Sequence, residues 1–197
     1  MISASLVILS GGRSSRMKEN KAFVKIGERR IIDIVLERML PVFKDAMIIS
    51  NEPDLYADLG VPVHTDIYPR LGPVAGIHTG LVRAAEEKAI IMGCDMPFIT
   101  TEAIAYMVGR SGAHQSAVPK INGFLQPLSA VYAKSCIPIL EDCLQHNRLK
   151  LVRIFEELEH TVITAEELSR FGKPDELFMN VNDPETLAKA QRIWGGG

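Results

Sequence analysis

The chain has little of what would place it in a specialised class. It carries three cysteines, Cys94, Cys136 and Cys143, at spacings that fit neither a disulfide framework nor a CxxC metal knuckle. Its histidines, His64, His78, His114, His146 and His160, include no HExxH pair, which argues against a zinc site. No GxSxG elbow is present, which lowers the case for a serine hydrolase. No apolar run approaches the roughly 18 residues of a membrane span. The short run Leu6-Val7-Ile8-Leu9 lacks the basic flank and cleavage site of a signal peptide, so it reads as a buried strand. Neither sign of charge dominates: 22 basic against 24 acidic residues leave a net charge of -2 and a pI near 6.2. Nucleic-acid coating and membrane-surface binding need clustered positive charge and are not expected. Repeats and low-complexity tracts are missing too, which excludes disordered, collagen-like and coiled-coil classes. The cytoplasm is the expected compartment.

What is present is a rhythm of short apolar runs followed by amphipathic segments. Strands are predicted over 6–9, 46–49, 61–64 and 89–92. Helices are predicted from Ile31 to a stop at Pro41, over 54–59, and over 75–87. The fourth strand reads apolar throughout, the signature of a parallel strand covered on both faces. Such alternation implies right-handed βαβ units and an α/β fold: a Rossmann-like, doubly wound, mostly parallel sheet with helices on both faces. The last third is less regular. Strands are expected over 116–118 and 126–132 around the turn Lys120-Ile121-Asn122-Gly123, where Asn-Gly supplies positive φ. Ser135 is expected to cap a helix with Pro138 in its first turn. A helix over 149–158, a strand over 161–164 and a helix opened by Asp183-Pro184-Glu185 complete the pattern. One domain over 1–194 with a frayed tail at 195–197 is the expected organisation.

The most informative stretch is Ser10-Gly11-Gly12-Arg13-Ser14-Ser15-Arg16-Met17-Lys18-Glu19-Asn20-Lys21. It leaves the carboxyl end of the first strand, where open α/β sheets bind ligands. Paired glycines let backbone N–H groups approach an anion. Arg13, Arg16, Lys18 and Lys21 concentrate positive charge against Glu19 alone. The spacing matches neither Walker A (GxxxxGK[ST]) nor the dinucleotide fingerprint (GxGxxG). Asp95, in Gly93-Cys94-Asp95-Met96-Pro97, follows the most buried strand and can hold a hard divalent cation beside phosphates. The competing role, capping the next helix, is better served by Thr100 or Thr101. Asp66 sits on another strand-end loop, ahead of Gly72-Pro73-Val74-Ala75-Gly76, whose helix start can face phosphate. Asn180 and Asn182 alternate along an extended segment and so face one side, toward a polar ligand or as caps.

Taken together these residues resemble the molybdenum cofactor guanylyltransferase (MobA) family of nucleotidyltransferases. The resemblance spans almost the whole chain. It rests on Leu9-Ser10-Gly11-Gly12 with Arg16-Met17 and Lys21, on Asn51, and on Asp66 with Gly72-Pro73-Val74-Ala75-Gly76. It continues through Cys94-Asp95-Met96-Pro97, Gln126-Pro127-Leu128 and Asn180-Val181-Asn182-Asp183-Pro184. Lys18 departs from the family's usual glycine. The resemblance implies a nucleotide-diphospho-sugar transferase-like fold and transfer of GMP from GTP to molybdenum-molybdopterin with Mg²⁺. By carry-over, Leu9, Ser10, Gly11, Gly12, Lys21, Asn51, Asp66 and Asp95 hold the nucleotide, and Asp95 the metal. Lys21, Arg16 and Asp95 are the catalytic set, while Asn180, Asn182 and Arg148 belong to the pterin substrate. Proteins that donate the pterin and molybdoenzymes that accept the product are the implied partners. The competing readings are a CTP-using cytidylyltransferase on the same pterin, a sugar-phosphate nucleotidyltransferase, and a non-catalytic nucleotide-binding or cofactor-delivery module. Lys21 and Asp95 occurring together speak against the last.

Overall fold

A computed structural model describes residues 1–11 and 21–196. The chain begins with β1 (Ser5–Leu9), a hairpin of β2 (Lys25–Ile26) and β3 (Arg29–Arg30), α1 (Ile31–Met39) and β4 (Ala46–Ile49). It continues through β5 (Val63–His64), α2 (Pro73–Arg83), β6 (Lys88–Gly93) and α3 (Thr101–Ser111). The hairpin β7 (Ser116–Ile121) and β8 (Phe124–Leu125) precedes β9 (Ser129–Ala133), α4 (Ile137–Gln145), α5 (Leu151–Ile154) and β10 (His160–Thr164). The short α6 (Ala165–Leu168) and α7 (Pro174–Leu177) lead into α8 (Pro184–Gly195). The last helix thus runs one residue into the glycine tail. Among the described residues, no helix is long and apolar enough to cross a membrane.

The main sheet has the order β10-β7-β9-β6-β1-β4-β5, with β8 on β7. β1 lies parallel to β4 and β6, β4 to β5, and β10 to β7. β9 runs antiparallel to both β6 and β7. The doubly wound, mostly parallel fold class is therefore present. Alternation along the central strands divides the core in two. Leu6, Ile8, Ile48, Ile90 and Met92 pack with α1, α3 and α8, whereas Val7, Met47, Ile49, Ala89 and Ile91 pack with α2 and α4. Successive strand residues point to opposite faces, so a strand covered on both sides must be apolar at every position.

Several local expectations hold for identifiable reasons. Asn122 and Gly123 take φ of 51° and 83°, the pair of positive values a two-residue hairpin turn requires. The Thr100 hydroxyl caps α3 by accepting from the Ala103 N–H at 3.3 Å. Asp183 caps α8 through a reciprocal box with Thr186, with Pro184 in the first turn.

Others fail, at the end of α2 because long-range contacts override local preference. The helix expected over 75–87 starts at Pro73 and stops at Arg83. Beyond it, the Ala85 N–H donates to Asp45 Oδ2 at 2.8 Å and the Glu86 N–H to Ser5 Oγ at 3.1 Å. Those tertiary bonds replace the next helical turn. Ser135 does not cap α4; it lies inside a 3-10 turn, and the cap position falls to Cys136 without a side-chain bond. The helix expected over 149–158 shrinks to four residues, because Glu156 and Glu157 bond three residues back rather than four. The strand expected over 126–132 begins only at Ser129, leaving Gln126, Pro127 and Leu128 as loop.

Close approach of α2 to β1 depends on Gly80. A Cβ there would lie 2.5 Å from Val7 Cγ1, and a buried β-branched valine has little rotamer freedom with which to yield. Gly80→Ala is expected to destabilise the fold by about 1–3 kcal/mol, visible as a lower midpoint in urea or thermal unfolding.

Candidate active site

Register brings three strand ends together. Leu9 pairs with Ile49 on one side and with Gly93 on the other. The chain crosses from β1 to β4 and β5, then returns to place β6 on the opposite edge of β1, so loops diverge at this point. Ligands of open α/β sheets bind in such a crevice at the carboxyl ends of the strands. A cleft of about 730 Å³ opens here. Its lining includes Leu9, Ser10, Gly11, Ser50, Asn51, Asp66, Arg70, Gly72, Gly76, Asp95, Gln126, Leu128, Asn180 and Asn182. No histidine is among the described residues that line it.

On the β4 side, Asn51 and Asp66 form a reciprocal pair. Asn51 Nδ2 donates to Asp66 Oδ2 at 2.7 Å, and the Asp66 N–H donates to Asn51 Oδ1 at 3.2 Å. The second carboxylate oxygen, Asp66 Oδ1, is shielded from solvent and has no hydrogen-bond partner among the described residues. It lies 3.8 Å from where a Gly76 Cβ would stand. An acceptor left unpaired out of water is costly unless a ligand donates to it. Burial raises the Asp66 carboxyl above its ordinary value, and the Asn51 bond opposes that shift.

On the β6 side, Asp95 is buried in a turn tied down from three directions. The Cys94 N–H donates to Leu9 O at 3.2 Å, the Val181 N–H to Asp95 O at 2.9 Å, and the Gly93 N–H to Leu128 O at 3.1 Å. Arg38 of α1 adds bonds from one guanidinium nitrogen to Pro97 O at 2.7 Å and Ile99 O at 3.0 Å. Its half-buried guanidinium is lowered by desolvation, with the Glu102 and Glu37 charges opposing. The glycine at 93 is a steric requirement: a Cβ would come 2.6 Å from Asp95 Oδ1 and 4.0 Å from Asn180 Oδ1. These two oxygens therefore flank one spot. Asn180 and Asn182 both line the cleft on either side of the buried Val181. That placement agrees with the alternation of an extended segment.

Ser10 is buried at the base of the cleft, and its hydroxyl shares a 2.7 Å hydrogen bond with the Tyr56 hydroxyl. Tyr56 in turn stacks on Phe23 at 5.3 Å between centroids. Sequence reasoning missed Tyr56, which sits in a 3-10 turn whose pattern marks only a helix. It missed Arg70 as well, since nothing in a sequence shows that an arginine has positive φ. Gly12 and Arg16, with Arg13, Ser14, Ser15 and Lys18, lie outside the described residues. Lys21 enters as the first residue of a 3-10 turn, Lys21–Phe23. Arg148 does not line the cleft that holds the asparagines. It lines a second cavity of about 290 Å³ with Lys150 and Arg153, and its guanidinium is engaged by Asp142 and Glu157. Among the described residues, no three His, Cys, Asp or Glu side chains cluster as a ready-made metal cage.

Together, the parallel strand ends, the glycine-permitted close approaches and the two carboxylates define an α/β domain with a polar ligand cleft at the point where its loops diverge. Comparison with known proteins narrows this. A family model described as the MobA-like NTP transferase domain matches residues 6–162. A relative from Pelotomaculum thermopropionicum named probable molybdenum cofactor guanylyltransferase is 36% identical over 191 residues, spanning 97% of this chain and 93% of its own. Another of that name, from Clostridium perfringens, is 41% identical over 157 residues, covering 78% of this chain and 77% of its own. The crystal structure of molybdopterin-guanine dinucleotide biosynthesis protein A from Archaeoglobus fulgidus superposes with a TM-score of 0.87 at 25% identity, covering 98% of this chain and all of that one. A CMP:2-keto-3-deoxy-manno-octonic acid synthetase at 13% identity and a TM-score of 0.73 shares the fold. The chain belongs to the MobA-like NTP transferase family.

The raised Asp66 carboxyl sets a sign for pH dependence. A folded-state value above the unfolded one gives stability that is present below the unfolded pKa and lost as pH rises through the folded one. Asp66→Asn is therefore expected to melt at or above the wild-type temperature at neutral pH, with the gap narrowing as pH falls into the carboxylate range. Melts across that range check it; a gap that widens on acidification would reverse the sign.

Proposed function

We propose that the chain is a molybdenum cofactor guanylyltransferase, transferring GMP from GTP to the terminal phosphate of a molybdenum-bearing molybdopterin. The observation that carries this reading is the cleft with Asp66 and Asp95 on opposite sides of the β1 end, in a chain of the MobA-like family. An oxygen of the acceptor phosphate attacks the α-phosphorus of GTP in line. The bond from that phosphorus to the oxygen bridging the α- and β-phosphates breaks, and pyrophosphate leaves with the electron pair. A phosphate whose second pKa is about 6 is already ionised near neutral pH, so no general base is required. The catalytic demand is positioning and charge neutralisation.

Within that reading, residues 1–194 act as one nucleotidyltransferase domain. Leu9, Asn51 and Asp66 hold the nucleoside end, and the Ser10-Gly11-Gly12 backbone encloses the triphosphate. Arg16 and Lys21 neutralise its charge. Asn180 and Asn182 face the acceptor phosphate. A single carboxylate beside an amide oxygen suits a hard cation that takes its remaining ligands from water and phosphate. Asp95, with Asn180 nearby, would hold Mg²⁺, which when bound stabilises charge on the phosphate oxygens. The cytoplasm, pterin-donating proteins and molybdoenzyme acceptors complete the proposed setting.

The test is pyrophosphate release from GTP, Mg²⁺ and molybdopterin, with CTP, ATP and UTP as competitors. Asp95→Asn is expected to reduce metal-dependent turnover by about a hundredfold or more; unchanged metal dependence would move the cation elsewhere. Lys21→Ala is expected to lose turnover to a similar degree with an unchanged melting temperature. Full activity at saturating GTP would remove Lys21 from the catalytic set.

A further inference from the structure

Arg70 is the one cationic side chain among the described residues that line the cleft. It lies four residues beyond Asp66 on the loop between β5 and α2, lines the same cleft, and is exposed. Its backbone φ is +65°, a conformation that costs an L-residue energy and that glycine would adopt freely. Arg70 and Asn122 and Asn147 are the non-glycine residues described with positive φ, and asparagine tolerates that region far better than arginine does. Strain of this kind concentrates where a side chain serves a ligand. No ion pair or hydrogen bond from the Arg70 guanidinium is made to any described residue, in contrast to Arg30, Arg110 and Arg148, which are all paired.

We propose that Arg70 is a nucleobase-specificity residue, its guanidinium fork donating to O6 and N7 of guanine. The inference rests on the proposed guanylyl transfer and deepens it. Three facts converge on guanine. The planar fork of arginine matches two adjacent acceptors, and O6 with N7 of guanine is the pair it reads most often. Adenine puts an amino donor beside N7, which would face a donor, and the pyrimidines have no N7. In the same cleft, Asp66 Oδ1 is a shielded acceptor without a partner among the described residues. Guanine alone among the common bases offers acceptors on one edge and N1–H and amino donors on the next.

The experiment uses GTP, 7-deaza-GTP (a CH group in place of N7) and ITP (no 2-amino group) with the whole chain. Binding is followed by titration calorimetry and transfer by pyrophosphate release. Wild type is expected to bind 7-deaza-GTP about tenfold more weakly than GTP. Arg70→Gly, whose backbone suits the local φ, is expected to melt no lower than wild type. It should bind GTP about tenfold more weakly and no longer distinguish GTP from 7-deaza-GTP. Arg70→Lys, which keeps the charge and loses the fork, should also fail to distinguish them. The ratio of GTP to ITP affinity should be the same in all three proteins, because that contrast does not involve N7. Equal affinity of wild type for GTP and 7-deaza-GTP, or retained discrimination in Arg70→Gly, overturns the role of Arg70. Guanine-selective binding lost in Arg70→Gly, without any GMP transfer by wild type, overturns the proposed reaction and upholds the base contact.

Discussion

Everything at the cleft depends on the pairing of β1 between β4 and β6. Parallel register ends Leu9, Ile49 and Gly93 at one level, so their loops emerge side by side. The backbone continues the pairing one step further on both sides, through Ser10 N–H to Ile49 O and Cys94 N–H to Leu9 O. A slip of one residue in either pair would turn every core side chain to the wrong face. Both faces are packed, so each slip would exchange the side chains of two cores that are fitted to different helices. The geometry of the site is thus enforced by burial far from it.

Antiparallel β9 adds the remaining wall. Its first residue, Ser129, pairs with Met92 near the end of β6, so the segment that enters β9 arrives where β6 leaves. Gln126, Pro127 and Leu128 therefore line the same opening as the strand-end loops. The Tyr132 hydroxyl donates to Pro127 O at 2.8 Å and holds this segment against the sheet. Asp66 and Asp95 bring negative charge from opposite sides, and Arg70 brings positive charge to the same cleft. The described lining is polarised although the chain as a whole is nearly neutral.

Legibility in the sequence followed the range of the interaction concerned. Apolar runs at β1, β4 and β6 were readable because burial on two faces writes itself into every residue. The caps at Thr100 and Asp183 and the turn at Asn122-Gly123 were readable because their chemistry is local. The place of β9 between β6 and β7 was not, since residue pattern sets period and burial but does not name a strand's neighbours. The early end of α2 was hidden because Asp45 and Ser5, some 40 and 80 residues upstream, take up its next amides. Asp66, Asp95, Asn51, Asn180 and Asn182 were named in advance and line one cleft. Arg148 was named with them and lines another. Tyr56 and Arg70 escaped notice because the features that mark them, a buried hydroxyl contact and a positive φ, exist only after folding.

The two banks of the cleft hang from different cores. Gly76 and its helix α2 belong with Val74, Ile77 and Leu81 on one face of the sheet, whereas the turn after Asp95 is anchored by Met96, Ile99 and α1 on the other. Among the described residues, no buried apolar side chain belongs to both clusters. Free-energy changes at separated sites without common partners add nearly independently. A side-chain change in one layer therefore acts first on the bank that layer carries, and it reaches the other bank through the strand-end backbone bonds from Cys94 N–H to Leu9 O and from Gly93 N–H to Leu128 O.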